Sequence, residues 1–259
     1  MIKLKNPSQI DKMRSAGHML FDVLCQLREK VVPGIDTKSI DIIAHELIVK
    51  NRAIPSFLNY NGFPATICAS LEDEVVHGFP SKNTILKEGE ILSIDCGLIL
   101  EGWQADSAIT VPVGKISDEK AQLIRETEIS FWKGVEQAIE GNHVGDIGHA
   151  VSLHAEAFGY GVIRDCTGHG IGRELHEDPT VPNWGEKGHG TRLRAGMTIA
   201  VEPMIAMGTW RVHTLADDWT VVTNDHKPCS HYEHTIAIQK NGLPEILTLP
   251  SGYKWGLQP

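Results

Sequence analysis

Over residues 7–30 the apolar side chains Ile10, Met13, Ala16, Leu20, Val23, Leu24 and Leu27 recur at three- and four-residue steps with charges between them. That spacing predicts a helix with one buried face. Val32-Pro33-Gly34-Ile35-Asp36 interrupts it, and Asp36 or Thr37 can cap a second helix that runs to residue 51. An aromatic, turn-rich stretch follows at 55–64, then short β-type runs at 66–69, 91–96 and 108–113. Glu101-Gly102 stands between the last two where a hairpin turn would. Helical periodicity returns over 118–140 and 145–158, the second stretch ended by Gly159-Tyr160-Gly161. Beyond it, turns alternate with β-type runs at 197–201, 220–223, 231–238 and 245–248. Two helices then strands, twice over, suggest an α/β chain with a duplicated half, although no residue-level repeat accompanies the pattern.

Composition narrows the class. With 41% hydrophobic and 22% charged residues, the 259-residue chain reads as globular, not disordered, and long enough to bury a core without staples. No linker divides it, so residues 1–259 are expected to form one catalytic domain. The net charge of −9 comes without a basic run, which excludes a nucleic-acid arm. No apolar run approaches the roughly 18 residues of a membrane span, and no signal-peptide core opens the chain. Five cysteines without a Cys-x-x-Cys give neither a disulfide framework nor a zinc knuckle. A reducing, cytoplasmic setting is expected.

Candidate chemistry sits at the ends of the β-type runs. Asp95 and Asp106 lie on the two arms of the expected hairpin, where like charges would repel unless a cation intervened. Taken singly, Asp95 also suits a strand-end turn and Asp106 an exposed position. In Gly168-His169-Gly170-Ile171-Gly172 the glycines let backbone approach closely around the imidazole, and His176 follows seven residues after His169. Glu202 ends an apolar run before Pro203, and Glu233 lies in a run of β-formers, facing away from Tyr232 and His234 by strand alternation. Each glutamate alone also suits an exposed face. Together the four carboxylates and one imidazole suit two divalent ions, Mn²⁺, Fe²⁺, Co²⁺ or Zn²⁺, and metal-assisted hydrolysis.

The order of these motifs, with Glu202-Pro203-Met204 and Tyr232-Glu233-His234-Thr235, resembles type I methionine aminopeptidase along nearly the whole chain. The resemblance implies the pita-bread α/β fold, with two pseudo-twofold halves around a dinuclear centre. It implies metal-dependent removal of the initiator methionine from nascent chains with a small second residue. By the same resemblance Asp95 chelates one metal, Asp106 and Glu233 bridge both, and His169 and Glu202 complete the other. Glu202 would handle the proton of the attacking water. His176 would hydrogen-bond near the substrate carbonyl, and His77 would contact the scissile amide nitrogen. Phe57, Tyr60, Phe63, Cys68 and Trp219 fall on the methionine pocket, although the same residues would equally pack a core.

Two departures bear on a monovalent-cation site described for some members. Ser70-Leu71-Glu72-Asp73-Glu74 replaces a Ser-x-Asn pattern, and Cys229 stands where a serine is usual, with Ser230 beside it. The expected partners are nascent polypeptide N-termini, with transient contact to the ribosome, no specific nucleic acid and no membrane. The expected state is a monomer. The chain carries neither the zinc-binding extension of eukaryotic enzymes nor a long insertion between Glu202 and Glu233. Rival readings are an Xaa-Pro aminopeptidase or prolidase of the same fold, and a non-catalytic peptide-binding homologue.

Overall fold

The computed structural model describes residues 2–250 and Tyr253. Helix α1 (Pro7–Arg28) begins at an Asn6–Gln9 capping box with Pro7 in its first turn, and α2 (Thr37–Lys50) begins at Asp36, whose carboxylate accepts the Ser39 N–H. Then come β1 (Ile54–Pro55), a 3₁₀ turn at Tyr60–Gly62, β2 (Ile67–Leu71), β3 (Glu74–Val76) and the long hairpin β4 (Ile91–Leu100) and β5 (Trp103–Pro112). The second half repeats the order, with α3 (Asp118–Val135) and α4 (Val144–Ala157) leading. It continues through β6 (Gly161–Val162), β7 (Gly168–Gly170), β8 (Glu177–Val181), β9 (Thr198–Val201) and β10 (Met204–Ala206). The last strands are β11 (Val212–Thr214), β12 (Val221–Thr223), β13 (Cys229–His231), β14 (Glu233–Ala237) and β15 (Glu245–Ile246).

The main antiparallel sheet runs β1-β4-β5-β14-β9-β7-β8. Helix pair α1/α2 covers one half of it through Leu20, Leu24, Leu27, Ile40 and Ile48, which bury against Ile94, Cys96, Leu98 and Val111. Helix pair α3/α4 covers the other half through Phe131, Val135 and Ile147 against Ile199, Val201 and Ile236. Alternation along β4 turns Ile94, Cys96 and Leu98 to the helices and leaves Asp95 and Gly97 to the opposite face. Among the described residues no helix is long and apolar enough to cross a membrane.

Three of the expected elements have other bounds in the structure, and short strands such as β7 and β8 have no counterpart among them. The hairpin is longer than its apolar runs, pairing Ile91 with Pro112 through to Leu100 with Trp103 across the Glu101-Gly102 turn. Both turn residues take positive φ, 50° and 76°, as a tight two-residue hairpin turn demands. Helix α3 stops at Val135, not near residue 140, because the chain tightens into successive three-residue turns and Asn142 Nδ2 donates to the Gln137 carbonyl. The run 231–238 is two strands in different sheets, β13 on β10 and β14 between β5 and β9, and Tyr232 is the crossing point.

Gly17 sets how closely α1 lies on the main sheet, since a Cβ there would fall 2.1 Å from the Leu247 carbonyl oxygen. Alanine would gain about 1 kcal/mol of helix propensity. The overpacking costs about 1–3 kcal/mol or more, against rigid backbone. Gly17→Ala is therefore expected to lower the urea midpoint, and an unchanged or raised midpoint would contradict this packing.

Candidate metal and substrate site

Five consecutive strands of the main sheet each bring one of the expected ligands to the same face. In sheet order they are Asp95 on β4, Asp106 on β5, Glu233 on β14, Glu202 just past the end of β9, and His169 on β7. The register explains the convergence. Asp95 pairs with Ala108 and Asp106 with Gly97, so the two aspartates are diagonal neighbours on one face. Glu233 also lies opposite Ala108, whose small side chain leaves the three carboxyl groups open to one another. His169 Nε2 lies 3.8 Å from Asp106 Oδ2 and 3.6 Å from Glu202 Oε1. One donor atom each from Asp106, His169 and Glu233 falls within 4.8 Å of the others.

The electrostatics of this cluster ask for cations. Burial, then the neighbouring carboxylates, holds Asp106 and Glu233 far above the usual carboxylate range, and burial with Asp95 does the same for Glu202. Burial likewise raises Asp95, although hydrogen bonds from Asp106 and Cys68 offset part of it. Oδ1 of Asp95, Oδ1 of Asp106 and Oε1 of Glu233 are buried without a hydrogen-bond partner. Orphaned acceptors of this kind are rare in folded proteins and costly unless an ion or proton meets them. Burial also lowers His169, to about 4, so its ring is neutral at neutral pH. Its Nδ1 sits 2.9 Å from the Gly170 carbonyl, which can only accept, so Nδ1 carries the proton and Nε2 keeps its lone pair for a cation. The donor set fits divalent metal.

His77, His176 and the aromatic set line the same cavity of about 370 Å³ as these ligands. Tyr60 Oη lies 2.8 Å from His176 Nδ1, and the His176 ring centroid is 4.3 Å from that of His169. His77 follows β3 at φ 61°, a left-handed conformation that costs a non-glycine residue about 1–2 kcal/mol. Its ring meets Trp219 edge-on at 6.0 Å, and Trp219 meets Phe63 at 5.2 Å. Cys68 pairs with Asp95 across β2 and β4, and buried beside that carboxyl it stays a thiol. Gly97 makes room for Phe57, because a Cβ at that position would lie 2.8 Å from the Phe57 ring. The apolar walls and the carboxylates therefore share one chamber.

One residue of the site escaped the sequence reading. His231 Nε2 is buried without a hydrogen bond, 3.9 Å from Glu202 Oε2 and 3.9 Å from Glu233 Oε2. The two-residue offset from Glu233 was the available signal. Burial lowers its pKa to about 3, so it adds no charge to the cluster. The departures at Glu72 and Cys229 meet directly, the Cys229 N–H donating to the Glu72 carbonyl at 2.8 Å. The Glu72 carboxylate accepts from Lys120 Nζ at 2.7 Å and from the Ile91 N–H at 2.8 Å.

Residues 11–240 match metallopeptidase family M24. The methionine aminopeptidase of Clostridium acetobutylicum is 52% identical over 249 residues, 96% of this chain and 99% of that protein. Methionine aminopeptidase 1 of Bacillus subtilis is 46% identical over 96% of this chain and 99% of that one. The crystal structure of the methionine aminopeptidase from Thermotoga maritima superposes with a TM-score of 0.94 at 42% identity, covering 96% of this chain and all of that one. The prolidase of Pyrococcus furiosus shares the fold at a TM-score of 0.77 and 21% identity, and this chain spans 66% of it. With its mixed α/β pita-bread fold, the chain belongs to metallopeptidase family M24, and within it to the methionine aminopeptidases.

Proposed function

We propose that this chain removes the N-terminal methionine from nascent proteins and peptides whose second residue is small, using two divalent ions held by Asp95, Asp106, His169, Glu202 and Glu233. The observation that carries the reading is a single cavity in which an aromatic and thiol-lined wall adjoins a carboxylate cluster with three buried, unpartnered oxygens. Phe57, Phe63, Cys68 and Trp219 suit a flexible thioether, for which sulfur–aromatic contacts add to burial. When bound, two divalent ions supply Lewis acidity at the scissile carbonyl and a nucleophile from water at neutral pH. Burial holds His77 and His176 below the usual imidazole range, so both are neutral hydrogen-bonding groups at pH 7. His77 is suited to the scissile amide nitrogen and His176 to the carbonyl side. Glu202 is suited to take and return the proton of the attacking water.

The finer assignments follow from the same chemistry. An oxygen-rich set with one nitrogen suits Mn²⁺, Fe²⁺, Co²⁺ or Zn²⁺. Five free cysteines suit a reducing compartment, so we place the enzyme in the cytoplasm, acting as a monomer on chains emerging from the ribosome. Purified protein loaded with Mn²⁺, Fe²⁺ or Co²⁺ is expected to release methionine from Met-Gly-Met-Met. It is expected to leave Met-Lys and Xaa-Pro peptides intact, and to lose activity to a chelator. Release from Xaa-Pro peptides alone would favour the prolidase reading, and no release from any peptide would favour a non-catalytic one.

A further inference from the structure

The hairpin joining β7 to β8 carries His176 at its far end, and the next residue holds its shape from inside. Glu177 Oε1 accepts the backbone N–H groups of Arg173 at 3.0 Å and Glu174 at 3.3 Å, closing residues 173–177 around one carboxylate. Its other oxygen accepts from Lys5 Nζ at 2.7 Å, and Lys5 belongs to the segment ahead of α1, 172 positions away in the chain. The two side chains are only 5% and 6% exposed. The Lys5 backbone is fixed as well, its N–H donating to the Gly196 carbonyl at 2.7 Å. Gly172 provides the hollow for this pair, since a Cβ there would lie 2.5 Å from Lys5 Cε and 2.8 Å from Glu177 Oε1.

Stability alone gives a weak reason for such a pair. A buried ion pair contributes about as much as well-packed apolar residues of the same volume, or less. Ile171 and Leu175 are already buried and anchor the hairpin to the core. Arg173 and Glu174 at its tip are exposed, and both of their backbone N–H groups go to the Glu177 carboxylate, while the Arg173 guanidinium reaches the Gly102 carbonyl at 3.1 Å. What the pair adds is a fixed course for the backbone between that tip and the strand, which carries Leu175 and His176, the His176 ring itself also meeting Tyr60 Oη at 2.8 Å.

We infer that Lys5 and Glu177 are positioning residues for His176, the segment ahead of α1 locking the 170–177 hairpin so that the imidazole stays aimed at the substrate. The inference rests on the aminopeptidase reading. A misplacement of about 1 Å in a positioned group can cost about 10²-fold in rate, which makes the lock matter to turnover more than to folding.

The test compares kcat and KM for Met-Gly-Met-Met in metal-loaded wild type, Lys5→Met, Lys5→Gln, Glu177→Gln and the double variant Lys5→Met/Glu177→Gln. Lys5→Met and Glu177→Gln are each expected to lose about 10²-fold in kcat per folded chain, and Lys5→Gln less, with KM within about threefold because other elements build most of the methionine pocket. The double variant should fall no further than the worse single, as for two residues acting as one unit. Metal stoichiometry should be unchanged, and trypsin should cut after Arg173 faster in Lys5→Met than in wild type. Lys5→Gln keeps a donor in the same slot and serves if Lys5→Met does not fold. Unchanged kcat per folded chain, additive losses in the double variant, or failure of every variant to fold would overturn the inference in favour of a purely structural pair. An inactive wild type would sink the activity reading instead, and tryptic cleavage at Arg173 would still report on the lock, unaltered rates overturning it.

Discussion

Asp106→Ala is expected to abolish methionine release, by roughly 10³-fold or more, while leaving the fold intact. Losing a group that only supports a metal ligand costs about 10–100-fold, and Asp106 is proposed as a ligand itself. Its carboxylate lies on β5, between the strands of Asp95 and Glu233, diagonal to Asp95 and 3.8 Å from His169 Nε2, with one oxygen buried and unpartnered. Its backbone is held independently of the side chain. The Asp106 N–H donates to Thr235 Oγ1 at 3.2 Å, and the Thr235 hydroxyl donates back to the Asp106 carbonyl at 2.9 Å. Removing one of several crowded, buried carboxyls removes a group that the metal-stripped protein must keep either protonated or repelled, so its melting temperature should hold or rise. Activity and stability then move in opposite directions, which a misfolded variant would not do. Unchanged metal content by elemental analysis would count against any ligand role for Asp106.

Much of this site was legible before the fold was known, and the part that was not has a common cause. Helical periodicity placed α1 and α2 to within a few residues, because each buries a continuous stripe on one sheet. Strand alternation turned Glu233 correctly away from Tyr232 and His234, which pack instead on Phe131. By contrast, β7 and β8 are invisible to β-propensity, since Gly168, Gly170 and Pro179 are poor strand formers. The glycines are there for proximity. A Cβ at Gly168 would lie 2.3 Å from the Ala200 carbonyl oxygen, and one at Gly170 would lie 2.1 Å from that of Asp178. The order β4-β5-β14-β9-β7, which gathers the five candidate ligands, depends on pairings between distant parts of the chain. Local pattern therefore showed which residues could act, and only the register showed that Ala108 leaves them room. The break at Tyr232 is similar. Nothing in the 231–238 run marks a change of sheet, because the partners β10 and β9 decide it.

Stripping the divalent ions is expected to make stability fall as pH rises from 6.5 to 8.5, whereas the loaded protein should change little over that range. The folded-state pKa of Asp95 is raised to about 7, and those of Asp106, Glu202 and Glu233 also lie well above their ordinary values. An unfolded carboxyl titrates near ~4, so above that pH the stripped native state holds protons that the unfolded chain has lost. Stability from these groups is complete below the unfolded pKa and is lost as pH climbs through the folded one. Buried imidazoles act in the other direction. His169 and His231, lowered to about 4 and about 3, favour the native state increasingly as pH rises, but this ends near the unfolded histidine value of ~6.5. Above pH 6.5 the carboxyls therefore govern, at about 1.4 kcal/mol per pH unit for each proton retained. Over two units one such proton is worth about 3 kcal/mol, or roughly 5–10 °C in melting temperature for a chain of this length. Cations must displace the same protons, so loading at pH 7 should release at least one per chain, read by calorimetry in buffers of different ionisation enthalpy. A flat or rising melting curve for the stripped protein, or loading without proton release, would mean that these carboxyls are already ionised and their charge is met by something other than metal.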